Sequence, residues 1–136
     1  MKGPIIVIDA DKGSRRELCN LLEAQDYQVL PSHSLARLPG LIQERSCRAV
    51  ILDLDTVPVN NRHLRDLKKT YPDLYVVAVS GRPFHPELKE ALASHIYACL
   101  CKPVDPDELV YWLKSIFCTE TASEDGPAHD EWNAFR

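Results

Sequence analysis

The chain has 136 residues, 45% hydrophobic and 26% charged, which suits one folded domain and excludes wholesale disorder. A formal net charge of -4 argues against nucleic-acid or anionic-membrane binding, which calls for a basic face. No apolar run approaches the roughly 18 residues of a membrane span, and the short stretch before Asp9 lacks the form of a signal peptide.

Pro4–Ile8 is the first apolar run and reads as a strand ending in Asp9, with Asp11 two residues on. Ser14–Gln25 follows with Leu18, Leu21 and Leu22 at helical spacing. Tyr27–Leu30 is a second strand. Leu35–Glu44 is a helix that Pro39-Gly40 is expected to shorten or break. Ala49–Leu52 is a third strand, ending in Asp53 with Asp55 beyond it. Arg62–Tyr71 forms a helix that stops before Pro72. Tyr75–Val79 is a fourth strand, ending in Ser80-Gly81. Glu87–Ser94 is a helix behind Pro86, and Ile96–Cys101 is a fifth strand, ending in Lys102-Pro103. In the last helix Asp105 is the N-cap, Pro106 and Glu108 lie in the first turn, and Leu109, Trp112, Leu113 and Ile116 form the apolar stripe.

Most of these strands lack polar alternation, the mark of strands covered on both faces. Five alternations of strand and helix with right-handed crossovers give an open parallel sheet between two helical layers, a three-layer (βα)5 fold. The folded part is expected over residues 1–117, where 15 acids balance 15 bases. Residues 118–136 hold five acids and one base, have almost no apolar periodicity, and read as a flexible acidic tail or linker stub. The five cysteines (Cys19, Cys47, Cys99, Cys101, Cys118) suggest a reducing, cytoplasmic compartment and read as inert core residues. The five histidines show no metal-ligand spacing and are expected at the surface or in caps. Arg15-Arg16 and Lys68-Lys69 read as solvated helix faces.

Open α/β sheets bind ligands beyond the carboxyl ends of their strands. Here those ends offer Asp9, Asp11, Asp53, Asp55, Ser80 and Lys102 on one edge. Several carboxylates in one crevice call for a cation, and oxygen ligands favour Mg2+. A lysine and a hydroxyl beside them suit a phosphoryl group, and an aspartate can itself be the nucleophile, forming an acyl phosphate.

These residues resemble the receiver domain of two-component response regulators, over roughly Pro4–Phe117. The resemblance implies a flavodoxin-like sheet of order 2-1-3-4-5. It implies Asp53 as phosphoacceptor, with Asp9 and Asp53 and the main chain at Asp55 around Mg2+, and Asp11 as a further candidate. It also implies Lys102 on the phosphoryl oxygens and Ser80 as the switch hydroxyl. A histidine kinase or phosphotransfer protein is the implied donor. A downstream protein, a missing output domain or a second copy of the chain would dock on the 86–113 face, with no direct nucleic-acid contact. The implied role is signalling, not enzymatic.

The chain departs from the family pattern at four places. Ala10 stands at the second acidic position, where the family has a principal Mg2+ ligand. Cys99 stands at the switch-aromatic position, with Tyr97 two residues earlier. Thr56-Val57 replace a common Met-Pro, and Asn60-Asn61 replace a common Asp-Gly. Two other readings compete. One is a pseudo-receiver that binds partners without phosphorylation. The other is a haloacid-dehalogenase-type phosphatase, whose D-x-D motif Asp53-Leu54-Asp55 resembles. The chain reads as a single-domain regulator or as the front of a longer protein.

Overall fold

The computed structural model describes residues 2–82 and 85–118. The expected acidic tail lies outside these residues from position 119 on. Successive side chains of a strand point to opposite faces of the sheet, so apolar runs without alternation need cover on both sides. The strands are β1 (Lys2–Ile8), β2 (Tyr27–Ser32), β3 (Ala49–Asp53), β4 (Tyr75–Ser80) and β5 (Ala98–Cys101). All pair in parallel, in the order β2-β1-β3-β4-β5. This is the flavodoxin-like order expected from the resemblance. Pro31 is tolerated inside β2 because β2 is an edge strand.

The helices are α1 (Lys12–Glu23), α2 (Leu38–Arg45), α3 (Asn61–Thr70), α4 (Lys89–Ser94) and α5 (Pro106–Cys118). Single 3-10 turns, Leu35–Arg37 and Pro86–Leu88, lead into α2 and α4. One apolar layer joins Ile5, Val7, Ile51, Val77, Val79 and Leu100 to Leu18 and Leu22 of α1 and to Leu109, Leu113 and Ile116 of α5. The opposite layer joins Ile6, Ile8, Val50, Leu52, Val76 and Ala78 to Leu38 and Ile42 of α2, Leu64 of α3 and Ala91 of α4. Leu113 is fully buried in the first layer. Leu113→Ala should therefore lower stability by about 2–5 kcal/mol, the usual cost of such a cavity, measured by urea titration.

The shortening expected at Pro39 is seen: Leu35–Arg37 forms only a 3-10 turn and α2 runs from Leu38 to Arg45, with Pro39 in its first turn, where an N–H would lack a helical partner anyway. Two expectations are corrected. α1 starts earlier than Ser14, because the Asp11 carboxylate caps it by accepting the Ser14 N–H at 2.8 Å. Cys99 and Cys101 are exposed, unlike buried Cys47. β5 is the other edge strand and turns only Leu100 inward from this stretch. Asn60-Asn61 acquire a local reason: Asn60 and His63 form a capping box on α3, and Asn61 Oδ1 accepts the Ala91 N–H of α4 at 2.9 Å. Among the described residues, no helix is long and apolar enough to cross a membrane.

Candidate functional site

Parallel pairing brings the strand ends level. Ile8 pairs with Leu52, so Asp9 and Asp53 leave adjacent strands side by side. The strand order reverses between β1 and β3, the point at which open α/β sheets place their ligand sites. Both carboxylates are fully buried there. A buried charge requires partners, and each carboxylate has them. Asp9 accepts the Asp11 N–H at 2.8 Å and the Ser14 hydroxyl at 2.5 Å. Arg15 donates to the Asp9 main-chain oxygen at 2.8 Å. Arg15 thus faces the site, a correction to its reading as a solvated residue.

Asp53 Oδ2 accepts from the Thr56 N–H at 3.1 Å and the Thr56 hydroxyl at 2.6 Å. Asp53 Oδ1 makes no well-angled hydrogen bond, and its contact is the ion pair with Lys102 Nζ at 2.7 Å. The Thr56 hydroxyl also lies 3.1 Å from Asp9 Oδ1 and accepts the Ala10 N–H at 3.0 Å. It bridges the two carboxylates but has one proton, so it serves one of them at a time.

Asp55 does not join that pair. Its carboxylate turns to Ser80, Gly81 and Lys102, at 3.1, 2.8 and 3.0 Å. The Asp11 side chain is committed to the α1 cap. The four acids of the expected metal set therefore divide, with the Asp9 and Asp53 side chains meeting at the shared Thr56 hydroxyl. Among the described residues, no group of three or more His, Cys, Asp or Glu side chains is arranged to hold a metal ion.

The donor set nevertheless suits Mg2+, which commonly binds through one or two carboxylates and keeps several waters. Asp9, Asp53 and Asp55 bring three carboxylates against two cations, Lys102, which pairs with Asp53 and Asp55, and Arg15, which holds the Asp9 main chain. That imbalance favours a cation beside Asp9 and Asp53, with the Thr56 hydroxyl turned aside.

Burial alone would raise the Asp55 pKa, but hydrogen bonds from the Gly81 N–H, Lys102 and Ser80 outweigh it and hold the carboxyl below its ordinary value. Burial alone would lower the Lys102 pKa, but Asp53 and Asp55 outweigh it and hold the ammonium above its ordinary value. The Asp55 contribution to stability is complete above the ordinary aspartate pKa of about 3.9 and is lost as pH falls through the lower folded value. The Lys102 contribution is complete below about 10.4 and is lost as pH rises through the higher folded value. Urea midpoints should therefore fall as pH drops below about 4. They should fall less steeply in Asp55→Asn, and equal slopes would contradict this assignment.

Two partners of the site escaped sequence reading. His85, expected at the surface or in a cap, is buried, with Nε2 2.7 Å from the Ser80 hydroxyl and Nδ1 2.7 Å from the Arg82 guanidinium. Its only sequence signal is its position five residues after Ser80. Thr56 stands out as a departure from a common Met, but nothing in the sequence reveals its bridge. At the switch-aromatic position, Cys99 is exposed on β5. Tyr97 lies just before β5, stacked edge-on against Tyr75 and Trp112, with its hydroxyl 2.6 Å from Ser115.

A family model described as "Response regulator receiver domain" matches residues 5–114. No curated protein matches the chain. Among solved structures, the chain is similar to a response regulator receiver domain protein from Clostridium thermocellum, with 23% identity and a TM-score of 0.76. That match covers 89% of this chain and 98% of the other. It is also similar to the signal receiver domain of an HD domain-containing protein from Pseudomonas fluorescens Pf-5. There the identity is 21% and the TM-score 0.77, covering 90% of this chain and 99% of the other. A third likeness is to NtrX from Brucella abortus in complex with ADP, at 23% identity and a TM-score of 0.76, covering 92% of this chain but 29% of that one.

Proposed function

The chain belongs to the response regulator receiver domain family of two-component signalling, and on that premise we propose that Asp53 accepts a phosphoryl group from a phosphohistidine donor. The supporting observation is the buried Asp53 carboxylate at the end of β3, with one oxygen 2.7 Å from the Lys102 ammonium. The donor is a histidine kinase or a phosphotransfer protein. One Asp53 oxygen attacks phosphorus and a P–O bond forms as the donor's P–N bond breaks. The electron pair leaves on the imidazole nitrogen, which takes up a proton. Lys102 holds positive charge beside the attacked centre throughout, which favours the anionic transition state. Mg2+, held by Asp9 and Asp53, would supply further positive charge against the phosphoryl oxygens. Ser80 then offers its hydroxyl to the new phosphoryl group. The altered contacts shift a two-state equilibrium in the loop after β4 and across the 86–113 face, where the downstream partner binds.

Trapping tests the acceptor. After incubation with Mg2+ and acetyl phosphate, hydroxylamine should convert an acyl phosphate to a hydroxamate on the peptide that contains Asp53. A hydroxamate on a peptide carrying only other carboxylates would overturn the assignment.

A second reading, a receiver that signals without phosphorylation, is favoured by one feature. Ala10 replaces an acid, and the Thr56 hydroxyl bridges Asp9 and Asp53. Binding of a partner to wild type and to Asp53→Asn with equal affinity, whether or not phosphodonor is present, would support that reading.

A further inference from the structure

The Asp55 carboxylate stands apart from the Asp9 and Asp53 pair, yet three donors from the ends of β4 and β5 converge on it. Its Oδ1 faces the Ser80 hydroxyl at 3.1 Å, and its Oδ2 takes the Gly81 N–H at 2.8 Å and Lys102 Nζ at 3.0 Å. A main-chain amide, a hydroxyl and an ammonium converging on one carboxylate form an anion cradle. Gly81 keeps the cradle open, because a Cβ there would lie 3.3 Å from Asp55 Oδ2.

The cradle is also oriented from behind. Arg82 can only donate, so His85 Nδ1 accepts from it, and the neutral ring then carries its proton on Nε2. Nε2–H donates to the Ser80 oxygen at 2.7 Å, and the Arg82 N–H donates to the same oxygen at 3.0 Å. The Ser80 proton is left for Asp55 Oδ1 at 3.1 Å in preference to the Arg82 carbonyl at 3.4 Å. Glu87 anchors the far end, 2.7 Å from the Arg82 guanidinium. The donors run in one direction, from Arg82 through His85 and Ser80 to Asp55.

We propose that the Asp55 carboxylate is the resident anion of the switch site. It positions Ser80, Gly81 and Lys102 in the unphosphorylated protein, in contacts that a phosphoryl group on Asp53 must take over. The second half of this proposal rests on the reading of Asp53 as acceptor, because the incoming oxygens would need the same three donors. Phosphorylation then exchanges one anion for another in a cradle that is already closed. Ser80 and Gly81 at the end of β4 are held before any signal arrives.

Amide hydrogen exchange at Gly81, read by NMR, tests this without any donor present. Asp55→Ala should speed Gly81 exchange by about ten- to a hundredfold, the weight of one hydrogen bond to a charged acceptor. Exchange in the β3 and β4 cores should stay unchanged, and Asp55→Glu should restore protection where Asp55→Asn restores little. Acetyl phosphate with Mg2+ should return Gly81 protection to Asp55→Ala while changing it little in wild type. Unchanged Gly81 exchange in Asp55→Ala would overturn the proposal. So would equal recovery in the Asn and Glu variants, because charge would then be irrelevant. If no variant acquires a phosphoryl adduct but Asp55→Ala still frees Gly81 and Glu rescues it, the acceptor reading fails while the resident anion stands.

Discussion

Ala10→Asp is expected to tighten Mg2+ binding at least about tenfold, a difference of about 1.4 kcal/mol or more. Ala10 follows Asp9 directly and is exposed, with its N–H on the Thr56 hydroxyl at 3.0 Å, so a longer side chain meets no packed neighbour. A new carboxylate about 5 Å from a divalent ion gains about 2–7 kcal/mol of attraction for an effective dielectric between about 80 and 20. Desolvation removes part of that gain. The same carboxylate repels Asp9 and Asp53 whether or not the ion is bound. The metal-free variant should therefore be less stable than wild type, and added Mg2+ should restore it more than it does wild type. Calorimetric titration and melting with and without Mg2+ check both signs. Unchanged affinity would mean that Ala10 is not the gap in the cation site.

Lys102→Met should carry the second large effect. Lys102 is the ammonium that meets both Asp53 and Asp55. Removing one partner of a fully buried pair costs about 3–5 kcal/mol. The Lys102 side chain is 31% exposed, so solvent screening brings the expectation to about 2–3 kcal/mol. Methionine keeps most of the stem volume, so the loss reports charge and not a cavity. The deficit should shrink below about pH 4, where protonation of Asp55 removes one of the charges left unpaired. A deficit independent of pH would point to packing instead. Phosphoryl transfer to Asp53 should slow in the same variant, because the charge beside the attacking oxygen is gone.

The strand-end residues could be read from the sequence because each follows an apolar run. Once strands pair in parallel, Asp9, Asp53, Ser80 and Lys102 must reach one edge, whatever the loops do. Loop contacts were not readable in the same way. The Thr56 bridge, the burial of His85 and the turn of Asp55 toward Gly81 depend on how three loops fold over one another. Periodicity carries no record of that. Spacing made Asp55 and Asp11 look like members of one acidic cluster. Hydrogen bonding divides them, because a helix start claims Asp11 and the amide after β4 claims Asp55. Cys99 and Cys101 show a different limit. Strand alternation put them on a shared face, but whether that face is covered depends on β5 being an edge strand.

Intact-mass measurement after incubation with acetyl phosphate and Mg2+ tests the acceptor most directly. Wild type should gain one phosphoryl group, and Asp53→Asn should gain none while keeping its fold by circular dichroism. An adduct of equal yield in Asp53→Asn, or steady turnover of an aryl phosphate without a stable adduct, would contradict the assignment of Asp53 as the phosphoacceptor.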